Sequence, residues 1–152
     1  MKYICPLVTV SDIKCSCDFY EKILGQTVKS DYGENITFEG DFALHLDTHF
    51  SQLIDGKPIQ KGSNSFELYF EDDDLEKFMN KLTLNQVQLV HPLREQPWKQ
   101  RVIRFYDPDM NIIEVGETLE CTANRLSAAG YSKAEIAKLM GVPVEMINQW
   151  MK

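Results

Sequence analysis

Three short stretches of the chain alternate apolar and polar residues with a period of two. In SFELYFE, Phe66, Leu68 and Phe70 fall on one side, and Glu67, Tyr69 and Glu71 on the other. In DFALHLD the apolar row is Phe42, Leu44 and Leu46, which leaves Ala43, His45 and Asp47 opposite. In NIIEVG, Ile113 and Val115 separate from Ile112, Glu114 and Gly116. A period of two is that of a β-strand whose faces meet different surroundings. These strands are therefore predicted to turn one face to helices and to carry their chemistry on the other.

Between them the period changes to that of a helix. Tyr3 to Val10 is β-branched and apolar, and Ser11-Asp12 then supplies an N-cap for IKCSCDFYEKIL, which stops at Gly25. QTVKSDY, ENITFEG and DFALHLD follow as strands, and a polar loop with Gly56, Pro58, Gly62, Ser63 and Asn64 ends this half. The order then restarts: SFELYFE as strand, DDDLEKFMNKL as helix, then VQLVH, RVIRFY and NIIEVG as strands, the last two joined by DPDM. The same succession recurs at a spacing of ~60 residues, which predicts an internal duplication. From Glu117 the pattern is helical to the end, and Gly141 with Pro143 divides two short amphipathic helices into a helical hairpin.

Composition narrows the partners. The chain has 152 residues, 43% of them apolar, and a net charge of −7, which disfavours nucleic acid or an anionic membrane and favours small or cationic ligands. MKYICPLVTV lacks the charged and apolar regions of a secretory signal, and no run reaches the ~18 apolar residues of a membrane span. Cys5, Cys15, Cys17 and Cys121 form no CxxC, so a cytoplasmic location is expected.

Three segments carry a likeness to a known family: VSDIKCSCDFYEKILG, SNSFELYFEDDDLEKFMNKL and EQPWKQRVIRFYDPDMNIIEVGE. With their DPDxN turn before an acidic residue in an apolar strand, residues 1–117 resemble the glyoxalase/bleomycin-resistance/dioxygenase (vicinal oxygen chelate) superfamily. The resemblance implies an α+β fold of two tandem βαβββ modules, about residues 1–50 and 64–117. These would form a curved, cup-shaped mixed sheet, often completed by a homodimer, with residues 118–152 as a helix-turn-helix-like extension. In the metal-dependent members, ligands come from the first and last strands of each module. Carried over, those positions are Cys5, His45, Glu67 and Glu114, with Glu67 or Glu114 also able to move a proton as the catalytic carboxylate. Such donors suit Zn, Ni, Co, Mn or Fe.

The residues alone leave alternatives open. Glu114 could instead pair with Arg101 or Arg104 on the neighbouring hairpin arm, or share a proton with Glu67. Tyr69, Trp98, Arg101 and Tyr106 are candidates to line a substrate pocket, the aromatics by stacking on a flat or cationic ligand. The expected function is a metal-dependent lyase, isomerase or dioxygenase acting on a small molecule. The alternatives are a metal-free binding or antibiotic-resistance protein, and a ligand-sensing transcriptional regulator. Ile136, Ala137, Met140, Gly141, Val142, Ile147 and Trp150 match helix-turn-helix spacing. The tail nevertheless offers few cations, so DNA is the less favoured partner and packing the favoured role.

Overall fold

The structure, a computed structural model, describes residues 1–151. Both halves show the duplicated order. The first runs β1 (Leu7–Val10), α1 (Ile13–Leu24), β2 (Val28–Asp31), β3 (Asn35–Phe38) and β4 (Ala43–Leu46), followed by α2 (Asp47–Leu53). The second runs β5 (Glu67–Glu71), α3 (Leu75–Leu84), β6 (Leu89–Glu95), β7 (Arg101–Tyr106) and β8 (Ile112–Gly116). The strand orders are β1-β4-β3-β2 and β5-β8-β7-β6, so in each sheet the module's first strand lies beside its last. The fold is α+β with two tandem modules.

By compactness the chain divides into one unit of Met1–Glu67 with Tyr106–Ile112 and a second of Leu68–Phe105 with Ile113–Lys152. In the first unit, α1 is capped by the Asp12 carboxylate, which accepts from Cys15 N at 2.9 Å, and it ends at Gly25 in the left-handed region. Its buried Tyr20 packs on Phe38 and Phe42, whose rings stack at 4.6 Å. This is the apolar side of the alternation in DFALHLD. Parallel pairing sets Thr9 beside His45 and Val8 beside Leu44.

The DPDxN turn is explained by its hydrogen bonds. Asp107 Oδ1 accepts from the backbone N–H groups of Asp109 (2.9 Å) and Asn111 (2.8 Å), and its Oδ2 accepts from Tyr20 Oη at 3.0 Å. Asp109 reaches the start of α1, accepting from Ser11 N (3.0 Å) and Ser11 Oγ (2.7 Å), and pairs with Lys61 at 2.9 Å. Burial alone would raise the Asp109 carboxyl, but Ser11 and Lys61 outweigh it and hold the group below the usual carboxylate range. The motif that signals the superfamily is thus a fold-closing clamp, since it satisfies orphan donors at a turn and a helix start.

In the second unit, Leu75, Phe78 and Leu82 of α3 are buried, and Phe78 meets Phe105 at 5.8 Å. Three helices complete it: α4 (Leu119–Ala128), α5 (Lys133–Met140) and α6 (Val144–Trp150), each packing on the other two. Ala123, Leu126, Ile136, Ala137, Met140 and Ile147 form their own core. The tail thus contains the expected hairpin, with α4 packed across both of its arms.

Three expectations change. The first strand begins at Leu7 instead of Tyr3: Pro6 has no N–H to give, and only its carbonyl joins the sheet, accepting from Ala43 N. Phe66 precedes β5 and is 51% exposed, outside the apolar row it was expected to join. The stretch after β4 is not all loop, because Asp47–Leu53 forms α2.

Candidate functional site

Each module ends in a strand with one polar residue among buried neighbours, and the two residues meet different surroundings. His45 of β4 is 8% exposed, and its Nε2 lies 3.0 Å from Nδ1 of His49 on α2. The ring also meets Phe50 of α2 at 5.4 Å, so α2 shields His45 on the face of the sheet opposite α1. His45 Nδ1 has no hydrogen-bond partner. Burial, and then the neighbouring His49, push the imidazole below its ordinary proton affinity.

Glu114 of β8 is 5% exposed and forms an ion pair with the Arg104 guanidinium of β7 through Nη2. Parity accounts for this choice: Arg104 shares its face of β7 with Val102, whereas Arg101 lies with Ile103 and Phe105 on the side of α3. There Arg101 binds Glu76 of α3 at 2.5 Å and Glu117 at 3.0 Å. Next along the Glu114 row, Arg104 Nη1 faces His91 Nε2 of β6 at 3.4 Å. His91 Nδ1 lies 2.8 Å from the Pro92 carbonyl, which can only accept. His91 therefore carries its proton on Nδ1 and accepts from Arg104 on Nε2. A polar row, Glu114–Arg104–His91, crosses three adjacent strands.

On the same face, at the far end of β8, a second constellation is built around an amide. Gln100, itself buried, donates from Nε2 to Tyr69 Oη (2.9 Å) and to the Glu117 carbonyl (2.7 Å), and its Oε1 accepts from Trp98 Nε1 (2.9 Å). Tyr69 in turn donates to Glu71 at 3.0 Å. Gly116 makes room here, because a Cβ would sit 3.0 Å from Gln100 Nε2 and 3.2 Å from Tyr69 Oη and would push on both. Tyr69 is 48% exposed and Trp98 41% exposed, so each ring offers open surface while its polar atom is fixed. Burial foremost raises the Tyr69 phenol, which keeps it a donor to Glu71.

The remaining candidates lie elsewhere. Cys5 is half-buried and lines a cavity of about 200 Å³ with Lys29, Tyr32, Thr37 and Phe42. Glu67 is exposed and lines an open hollow of about 320 Å³ with Asn64, Phe66 and Ile112. Tyr106 is half-buried at the end of β7. Among the described residues, no three or more His, Cys, Asp and Glu side chains are arranged to hold a metal ion. Sequence reasoning missed Gln100 and His91. Gln100 lies just outside any periodic segment, while His91 could have been found as the cross-strand neighbour of Arg104.

Four strands, a helix after the first of them and a first-beside-last sheet order, used twice, define a protein of the vicinal oxygen chelate class. The family model for the glyoxalase-like domain matches residues 3–120, and the chain belongs to that family. It is similar to a solved protein of unknown function from Agrobacterium tumefaciens, at 38% identity and TM-score 0.71, covering 78% of this chain and 94% of that one. A glyoxalase/bleomycin resistance protein/dioxygenase superfamily member from Sphaerobacter thermophilus matches at 25% identity and TM-score 0.59, over 78% of this chain and 98% of that one. A glyoxalase-related enzyme from Fulvimarina pelagi shares the fold at 18% identity and TM-score 0.66, over 78% of this chain and 89% of that one. No curated protein matches the chain. No helix among the described residues is long and apolar enough to cross a membrane.

Proposed function

We propose that this chain is a metal-independent, small-molecule-binding member of the glyoxalase-like family, and that it takes an aromatic cation on the open face of its second module. The observation that carries the reading is the amide clamp: Gln100 holds Tyr69 and Trp98 by their polar atoms and leaves both rings partly open, with the Glu71 carboxylate bonded to Tyr69. Ring faces carry negative quadrupole potential, and a carboxylate beside them adds to it, so a flat cation gains from both. The net charge of −7 acts in the same direction at longer range.

Metal independence is supported by the donor chemistry. The Glu114 carboxylate, which the family's pattern would offer to an ion, is already neutralised by the Arg104 guanidinium and is not free to ligate one. His45 is turned to His49. This set does not fit a divalent ion, and the open face works through its own side chains.

The test is thermal unfolding of the purified protein with benzyltrimethylammonium, in the presence and absence of EDTA, together with metal analysis. A ligand-dependent rise in Tm that survives EDTA and disappears in Tyr69→Ala and Trp98→Ala is expected. A stoichiometric metal ion that is lost on Glu114→Ala, or a thermal shift abolished by EDTA, would restore the metal-dependent enzyme and overturn this reading.

A further inference from the structure

The loop that presents Trp98 is held from outside the glyoxalase-like domain. The turn between β6 and β7 is closed by Gln96 N donating to Gln100 O at 2.8 Å and by Lys99 N donating to Gln96 O at 2.8 Å. Lys99 at its apex adopts φ 73, a left-handed conformation that a side chain makes unfavourable. Such a conformation persists only where its surroundings over-determine it. Here the surroundings are supplied by α4. Arg125 Nη2 donates to the Lys99 carbonyl at 2.6 Å and to Glu117 Oε1 at 2.6 Å, and Nη1 reaches Glu95 at 3.5 Å.

Glu117 anchors this arm. Its side chain is fully buried at the junction of β8 and α4 and accepts from Arg101 N, Arg101 Nε, Thr122 Oγ1 and Arg125. Its backbone carbonyl accepts from Gln100, the same amide that fixes Tyr69 and Trp98. Arg125 Nη2 therefore joins a buried anion to the strained apex of the loop, and Nε fixes the guanidinium plane with a second bond to Glu117 at 3.3 Å. The family match ends at residue 120, so Arg125 belongs to the appended helices.

We infer that the C-terminal helices act as a brace for the ligand face, with Arg125 as the positioning residue that holds the 96–100 loop, and with it Trp98 and Gln100, in the receptive arrangement. This rests on the reading of the Tyr69–Trp98–Gln100 face as the binding surface, but the brace itself can be measured without a ligand. Trp98 and Trp150 are the two tryptophans of the chain, so Trp150→Phe leaves Trp98 as the sole fluorophore.

In that background, Arg125→Ala and Arg125→Lys are compared with Ile136→Val, which loosens the core of the same helices without touching the loop. Lysine keeps a charge near Glu117, but its nitrogen lies one bond closer to the backbone than Nη2 and lacks the Nε anchor, so it falls short of the Lys99 carbonyl, and this variant retains the fold if alanine does not. Acrylamide quenching of Trp98 is expected to rise about twofold in both Arg125 variants well below their Tm. Affinity for benzyltrimethylammonium is expected to fall about tenfold, as for loss of a charge-assisted hydrogen bond behind a binding loop. Ile136→Val should move neither. Unchanged quenching in Arg125→Lys, or an equal rise in Ile136→Val, overturns the brace. If the parent binds no benzyltrimethylammonium, the proposed function falls while the quenching comparison still decides the brace.

Discussion

The two modules share a strand order and a helix on one face, yet they treat the other face in opposite ways. In the first, α2 lies across it, and the polar residue of the last strand, His45, is paired with the helix's own His49. In the second, Glu114 is matched from within the sheet by Arg104, and Tyr69 and Trp98 keep open ring surface. Duplication supplies two similar sheets, each able to bury one face under a helix. In the first module a helix shields the polar residue of the last strand, and in the second the buried charge is neutralised by a neighbouring strand.

The largest effect should follow from breaking the strand-to-strand pair. Arg104→Ala leaves the Glu114 carboxylate buried without a counter-charge and is expected to cost about 3 kcal/mol. Glu114→Ala should cost less, because the longer Arg104 side chain can turn its charge to water. Urea unfolding of both variants checks the asymmetry. Equal losses would mean that Glu114 reaches solvent as easily as Arg104, and the second face would then resemble an ordinary wet sheet.

Next in size is removal of the cover from the first module. Phe50 is half-buried against His45, so Phe50→Ala is expected to cost about 2 kcal/mol, below the value for a fully buried ring. It should also admit water to His45 and move its titration back towards the ordinary value, which NMR of the ring protons would follow. A smaller change is expected at Gly116. Gly116→Ala places a methyl against Gln100 and Tyr69, costs about 1 kcal/mol, and weakens ligand binding more than stability. If binding is untouched, the amide clamp is not the recognition element.

How much of this was legible depends on which period governed each residue. The alternation in DFALHLD and NIIEVG placed His45 and Glu114 opposite the apolar rows, and Tyr20, Leu44, Ile113 and Val115 are buried as the pattern requires. The same rule applied to RVIRFY would have chosen Arg104 over Arg101 as the partner of Glu114, because Arg101 shares parity with Ile103 and Phe105. The helix α2 was hidden because seven residues, DTHFSQL, are too few to show a period, and Thr, His, Phe and Ser are indifferent helix formers. Gln100 was hidden for a different reason: its role comes from loop geometry that brings Trp98, Tyr69 and the Glu117 carbonyl to one amide, and no spacing encodes that. The tail's apolar positions were legible and became a helical core, while Arg125 gave no sign of its bond to Lys99.

The smallest effect is the most direct measure of how dry the covered face is. Burial first, and His49 second, lower the proton affinity of His45 below the ordinary 6.5, with Glu34 opposing them. The folded state therefore binds fewer protons at this site than the unfolded chain does. The resulting stability is complete above the ordinary value and is lost as pH falls through it towards the lower folded value. Wild-type Tm should decline between about pH 7.5 and 5.5 by an amount worth less than ~1 kcal/mol, and His45→Gln should flatten that decline. His49→Ala removes the second cause and leaves burial in place, so it should flatten the curve only in part. If His45→Gln follows the wild-type slope throughout, His45 titrates as it would in water, and α2 does not seal the face that distinguishes the first module from the second.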